Sequence, residues 1–409
     1  MTLLSVDTVD TALEKIFTSV HDWRLTVEQL DTGAATGRIL AEDIYAAENI
    51  PGFRRSTVDG YAVINTDTAA AGDSIPVLLK LSGTAEMGKP ANFAIHSGEC
   101  AYVPTGGMIP DGADAMVMVE YAEKAGKNTI AVYKPAAQGK NIAEADEDIH
   151  KGEAALRKGT CIRSPEIGLL AALGIRQVPV FCPLRLAIFS TGNELIAGDE
   201  KPGPGKIRDI NSHALCALAG QRGYRVVNQQ TIADDLELME AAVRGSLEAA
   251  DLVLVSGGSS RGEKDFTTEV FLRIAGSGIF TQGLALKPGK PTIFGYERAS
   301  NTLLCGLPGH PVSAIIVFEL FLSRLFRSLS FQQEPFTIPA HIDRNLASAP
   351  GKTTCQPVVL NRDTDAWIAA PVFGKSGMIS SLTQAQGYII IEQNREGLKK
   401  GETVQVYML

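Results

Sequence analysis

The residues most suggestive of chemistry lie in one ten-residue stretch, Ser256-Gly257-Gly258-Ser259-Ser260-Arg261-Gly262-Glu263-Lys264-Asp265. Adjacent glycines let successive backbone N–H groups turn toward one point. Hydroxyls at Ser256, Ser259 and Ser260 add donors, and a helix starting beyond the loop contributes its positive end, so the stretch suits a phosphate. Asp265 would repel an anion but can hold a divalent cation that bridges to it; equally, it can cap the next helix. Lys287 and Lys290 flank Pro288-Gly289 in a short, stiff loop closed by Pro291, as phosphate-facing charges or as ordinary solvated lysines. Asp234-Asp235 reads either as a Mg²⁺ ligand pair or as acids at a helix start. Glu194, behind Thr191-Gly192-Asn193, is a base, a metal ligand or a first-turn acid. His310, between Gly309 and Pro311, caps a helix or touches substrate, because no second histidine lies near it for metal binding. Asp59, in Ser56-Thr57-Val58-Asp59-Gly60, sits in a polar turn entering a strand, with Arg54-Arg55 making an anion edge upstream.

The elements that must position these residues follow from hydrophobic periodicity. Leu184–Ser190, Arg225–Ile232, Asp251–Ser256 and Thr302–Leu307 read as strands. Helical stretches near Asn211–Arg222, Leu236–Glu248, Thr267–Ala275 and Pro311–Ser328 separate or follow them. This alternation predicts a central three-layer α/β/α domain with a mostly parallel sheet. Ligands of such sheets bind outside the carboxyl ends of the strands, which is where Glu194, Asp234, the 256–265 loop and Gly306–Pro311 fall. Before it, residues 51–149 carry short alternating runs punctuated by glycine and proline, a β-rich module. Val9, Leu13, Ile16, Phe17 and Val20 mark an N-terminal helix. Ser164-Pro165-Glu166 opens another, with Ser164 as its cap and Pro165 in its first turn. Short strands return after residue 330, predicting a small β-barrel-like domain.

Composition narrows the class. The 409 residues include 38 Lys+Arg against 46 Asp+Glu, a net charge of −8, which disfavours coating nucleic acid or an anionic membrane. No uncharged apolar run reaches the ~18 residues of a membrane span. Acids at positions 7, 10 and 14 are unlike a targeting leader. Six cysteines without a CxxC pair read as free buried thiols, so the expected location is cytoplasmic.

Six segments taken together (Ser56–Val63, Pro104–Gly107, Phe189–Leu195, Ser256–Asp265, Lys287–Pro291 and Gly306–Pro311) resemble molybdopterin molybdotransferase, the family that includes the E domain of gephyrin. The resemblance runs nearly end to end and keeps the family's motif order. It implies four domains: 1–52 with 150–178 as one discontinuous domain, 53–149, 179–330 as the molybdopterin-binding domain, and 331–409. It also implies a homodimer, with a molybdopterin adenylyltransferase and molybdoenzyme acceptors or chaperones as possible partners. The implied reaction inserts molybdate into adenylylated molybdopterin, releasing AMP with Mg²⁺. Carried over by position, Asp59, Glu194, Asp234 and Asp265 are the catalytic acids, with Asp59, Asp234 and Asp265 on the metal. Thr105, Asp148, Ser256, Gly257, Gly258, Ser260, Lys287, Lys290, Pro308 and Pro311 bind substrate.

The chain departs from the family pattern at several points. Ala143 follows Asn141-Ile142 where an arginine is usual, and a common arginine near Gln356-Pro357 is missing. His310 replaces an asparagine and Ser259 a valine. Two lost positive charges leave room for a non-catalytic molybdopterin-binding or scaffold paralogue. Gly258-Ser259-Ser260-Arg261-Gly262 also fits the nucleophile pattern of a serine hydrolase acting through Ser260, with His310 or His341 downstream.

Overall fold

The computed structural model describes residues 6–196, 198, 200–257, 266–363 and 365–409. It divides into two compact units, one formed by the segment up to Glu28 together with Phe181–Leu409, the other by Gln29–Val180.

The larger unit is built on a six-stranded sheet. Its strands are β1 (Leu184–Thr191), β2 (Tyr224–Ile232), β3 (Leu252–Ser256), β4 (Ile279–Gln282), β5 (Ile293–Glu297) and β6 (Thr302–Leu307), in the spatial order β2-β1-β3-β6-β5-β4. The first four in that order are parallel; β5 runs antiparallel to both β6 and β4. Every residue of β3 and β6 is buried, as expected of parallel strands covered on both faces. Ala187, Phe189, Val253, Val255 and Leu304 pack one face against Met239 and Val243 of helix Leu236–Ser246 and Val270 and Phe271 of helix Phe266–Ala275. Helices Asn211–Gln221 and Pro311–Val317 contact the sheet from elsewhere along β1, β2 and β6. The chain leaves β1 toward β2, then returns past β1 to β3. The point between β1 and β3 is therefore the sheet's switch point, with Thr191-Gly192 and Ser256-Gly257 at its carboxyl edge.

The last helix is not uniform: Phe318–Ser323 widens into a π turn between Pro311–Val317 and Arg324–Leu329. There the Tyr224 hydroxyl donates to the Leu322 carbonyl at 2.6 Å. The N-terminal helix, Val9–Ser19, is capped by Thr8 and tied to the sheet edge, where Lys15 Nζ reaches Asp7 Oδ2 at 2.7 Å and the Phe280 carbonyl at 3.0 Å. Beyond residue 330, strands 353–362, 367–371, 337–342, 403–408 and 387–391 pair in that order, and the last pairs with the first to close a five-stranded barrel. Closure removes exposed sheet edges. Leu286-Lys287 adds parallel to Thr353-Thr354 at its rim.

The smaller unit holds a six-stranded sheet ordered 115–118, 60–63, 99–103, 77–84, 129–132, 122–124. One face buries Tyr61, Val63, Leu79, Val117 and Ile130; the other buries Ala62, Ala101, Val103 and Met116. In helix Ser164–Ala172 the capping residue is Arg163, not Ser164. Glu166 accepts from the Arg163 backbone N–H at 2.8 Å and from its guanidinium at 2.7 Å, which fixes the start one residue earlier. The chain is thus a multidomain α/β protein with mixed sheets and a C-terminal closed barrel. Cys100, Cys305 and Cys355 are buried, with burial pushing the Cys100 and Cys355 thiols up to about 12. Cys161, expected inside, is exposed, although its backbone bridges to the buried Ile39.

Candidate active site

A cavity of about 650 Å³ opens at the switch point, entirely within the larger unit. Its floor is the carboxyl edge of β1 and β3, and Pro308–Pro311, Asp209–Asn211 and Asp234 form parts of its wall. Gly257 adopts φ +112°, and a Cβ there would stand 2.3 Å from the Thr191 carbonyl oxygen, so only glycine lets β1 and the loop after β3 approach this closely. At Gly192 a Cβ would lie 2.7 Å from the Glu194 carboxylate, which therefore folds back over the bare Gly192 backbone.

The polar wall is organised by a buried carboxylate. Asp209 accepts from Ser190 Oγ at 2.8 Å, Thr231 Oγ1 at 2.9 Å and the Ser212 backbone N–H at 3.1 Å. Burial pushes its pKa up, but the hydrogen bonds from Ser212, Ser190 and Thr231 outweigh that and leave it below the ordinary aspartate value. Two residues on, Asn211 donates through Nδ2 to Ser256 Oγ at 2.7 Å and to the Gly309 carbonyl at 2.9 Å, joining the tips of β3 and β6. Among the described residues, four buried side-chain polar atoms lack a partner, and three of them line this cavity: Thr191 Oγ1, Asn211 Oδ1 and Asp234 Oδ1. Buried polar groups in folded proteins are nearly always paired, so this concentration sets the residues around the cavity apart from the rest of the described fold.

Asp234 and Asp235 have separate fates. Asp235 caps helix Leu236–Ser246, accepting from the Glu237 and Leu238 N–H groups at 3.0 and 2.9 Å. Asp234, which lines the cavity, accepts from the Asn193 N–H at 3.3 Å through Oδ2 and leaves Oδ1 unpaired. Glu194, Ser256, Gly257, Pro308 and Pro311 also line it. Lys287 and Lys290 are exposed and do not, although the adjacent Pro291 does. Their loop is held by the Leu284 N–H donating to the Lys290 carbonyl at 2.8 Å and by Thr292 Oγ1 donating to the Gly289 carbonyl at 2.7 Å. Gly258, Ser259, Ser260 and Asp265 lie outside the described residues. His310 pairs through Nδ1 with Ser376 Oγ at 2.7 Å, and the His341 ring sits on a barrel strand near the Gly401 carbonyl.

In the smaller unit, Thr105 donates its backbone N–H to Asp59 Oδ1 at 2.7 Å, while Gly106 and Gly107 bond Ser56 through the backbone. A Cβ at Gly60 would meet the Val117 oxygen at 2.0 Å, so the turn carrying Asp59 packs flush on the next strand. Asp148 is exposed, its N–H donating to the Ile50 carbonyl at 3.0 Å. At Ala143, Arg54 just across the strand pair bonds Glu144 at 3.0 Å.

Sequence reading missed Asp209, Asn211 and Arg208, which also lines the cavity. Arg208-Asp209-Ile210-Asn211 resembles any polar lead into a helix, and only burial distinguishes it. Among the described residues no cluster of three or more histidine, cysteine, aspartate or glutamate side chains could hold a metal unaided.

Family models match along the chain: the MoeA N-terminal region (domain I and II) over residues 7–174, the probable molybdopterin binding domain over 187–328, and the MoeA C-terminal region (domain IV) over 339–409. The chain belongs to the MoeA-type molybdopterin molybdenumtransferases, a transferase family of molybdenum cofactor biosynthesis. Family relatives include a putative molybdopterin biosynthesis protein of Methanocaldococcus jannaschii, 34% identical with 94% of this chain and 92% of that one covered. The molybdopterin molybdenumtransferase of Haemophilus influenzae is 32% identical over 93% of each. A crystal structure of the MoeA protein of Pyrococcus horikoshii superposes with a TM-score of 0.85 at 28% identity, covering 99% of this chain and 100% of that one. Among the described residues no helix is long and apolar enough to cross a membrane.

Proposed function

We propose that the cavity at the switch point holds adenylylated molybdopterin, and that the protein inserts molybdate into it and releases AMP. The carrying observation is the cavity itself, at the carboxyl edge of β1 and β3 where an open α/β sheet binds ligands, with Glu194, Asp209, Asn211 and Asp234 along its wall. Its volume suits a ligand of this size. Water attacks the phosphoanhydride and AMP leaves, and the two dithiolene sulfurs bind molybdenum as one molybdate oxygen departs as water with the two thiol protons.

The residues present fit Mg²⁺, which favours one or two carboxylates alongside substrate oxygens: Asp234 offers a free oxygen, and Glu194 lines the same cavity. Asp59 and Asp265 are proposed as further acids of the reaction. A bound Mg²⁺ would supply charge neutralisation on the phosphate oxygens. The chain's own contribution is positional. Asp209 fixes Ser190, Thr231 and the start of the helix bearing Asn211, Asn211 locks two loop tips together, and Gly257 permits their close approach. Lys287 and Lys290 are proposed to carry positive charge for phosphate, and Thr105 and Asp148 to contact substrate. A four-domain division, a homodimer and cytoplasmic action belong to the same proposal.

Mixing the protein with adenylylated molybdopterin, Mg²⁺ and molybdate should release AMP. Release that is absent while the substrate still binds tightly would establish the scaffold reading instead, and unchanged release in both Asp59→Asn and Asp265→Asn would overturn those assignments.

A further inference from the structure

His310 occupies the N-cap position of helix Pro311–Val317, yet its side chain makes no capping hydrogen bond. The exposed ring turns instead to the barrel loop that follows strand 367–371, where Nδ1 lies 2.7 Å from Ser376 Oγ. The same serine is tied to the helix by its backbone, the Val312 N–H donating to the Ser376 carbonyl at 3.2 Å. A Cβ at Gly377 would stand 3.7 Å from His310 Cδ2 and 4.0 Å from Nε2, so the ring edge carrying Nε2 runs beside that bare glycine. His310 and Gly377 both line the switch-point cavity. One ring nitrogen is therefore held in place, and the other has no hydrogen-bond partner among the described residues.

We propose that His310 is a further catalytic residue, the general base that takes a proton from the water attacking the phosphoanhydride. The proposal rests on the reading of the cavity as the substrate site and deepens it. The choice of base follows from what the other ionisable side chains of the cavity already do. Asp209 is held charged by three hydrogen bonds, and Arg208 Nε donates to the Gly198 carbonyl at 2.9 Å. Glu194 and Asp234 are the acids suited to Mg²⁺, and on the barrel side Lys375, next to Ser376, is an exposed cation. Histidine is the side chain that ordinarily changes charge near neutral pH, where a general base works best. With Nδ1–H donating to Ser376 Oγ, the tautomer is fixed and Nε2 is a bare acceptor. The water oxygen bonds to phosphorus as one of its protons passes to Nε2. The bond from that phosphorus to the bridging oxygen breaks, and the bridging oxygen keeps the electron pair. Ser376 still accepts from the imidazolium, which then returns its proton to solvent. Ser376 is thus a positioning residue.

The test follows single-turnover AMP release by the full-length protein, with adenylylated molybdopterin, Mg²⁺ and molybdate, from about pH 5 to pH 8. Native release should rise with pH over this range and level off as the imidazole loses its charge. An asparagine amide stands near where Nδ1 stands, so His310→Asn keeps a partner for Ser376 and removes Nε2. Its plateau release should fall about a hundredfold, and the rise with pH should disappear. Substrate affinity and melting temperature should stay native. In His310→Ala, free imidazole in the buffer should restore part of the release, while adding nothing to the native protein. Ser376→Ala should lower the plateau about fivefold, the size of one hydrogen bond, and keep the rise with pH. If His310→Asn fails to fold, the imidazole rescue of His310→Ala decides. Native release by His310→Asn, a rise with pH that survives in it, or the absence of rescue overturns the inference and leaves the cavity as the reaction site. Absence of AMP release by the native protein at every pH removes the underlying reading itself.

Discussion

Two acid-bearing turns in this molecule carry opposite hydrogen-bond accounts. In the smaller unit, Asp59 is engaged by the Thr105 N–H, and its turn is stitched to Gly106 and Gly107 through backbone bonds. At the switch point of the larger unit, Asp209 is held by three hydrogen bonds, yet the cavity-lining residues Thr191, Asn211 and Asp234 each keep a buried atom unpaired. The first turn has its backbone paired, and the Asp59 carboxylate stays exposed. The second leaves buried polar atoms unpaired, with their cost offset by the rigid network behind them.

The contrast can be tested from its strongest consequence downward. Gly257→Ala drives a side chain into the Thr191 carbonyl at a positive φ, so it should cost about 3 kcal/mol or more in chemical denaturation and abolish AMP release. Asp209→Asn places an NH₂ group among donors and should cost about 2 kcal/mol. It should also change the acid limb of stability. Because the folded pKa of Asp209 lies below its unfolded value, its stabilisation is present above roughly pH 3.9 and fades as pH falls through the folded value. In the variant that part of the pH dependence should vanish from urea unfolding curves. Asp59→Asn keeps an acceptor for Thr105 but removes the charge. AMP release should fall about tenfold, about 1.4 kcal/mol, with unfolding unchanged; a normal rate would leave Asp59 with only its turn to hold. Asp235→Ala should do the smallest and purely structural damage, about 1 kcal/mol for a lost helix cap, with turnover at the native level.

Much of the central sheet was legible because fully buried parallel strands read as continuous apolar runs, and β1, β2, β3 and β6 each end within one residue of the expected position. The antiparallel pair β4 and β5 escaped notice: both are short and separated by the glycine- and proline-rich loop that drew attention for its lysines. Barrel closure joins residues 354–358 to 387–391, a pairing no local pattern announces. At the site, the split between Asp234 and Asp235 is invisible in sequence, since both precede a helix and only three-dimensional bonding shows which one caps it. Asp209 and Asn211 were missed for a related reason. Polar residues before a helix look like caps, and their importance lies in burial, which spacing does not encode.

The neighbouring aspartates give the most direct test. Single-turnover AMP release from adenylylated molybdopterin, with Mg²⁺ and molybdate, should fall about a hundredfold or more in Asp234→Asn, roughly 2.7 kcal/mol of barrier. Its melting temperature should stay native, because the oxygen that changes bonds nothing in the fold. Asp235→Ala, measured beside it, should release AMP at the native rate. Native release by Asp234→Asn would contradict the assignment of the switch-point cavity as the place where the reaction occurs.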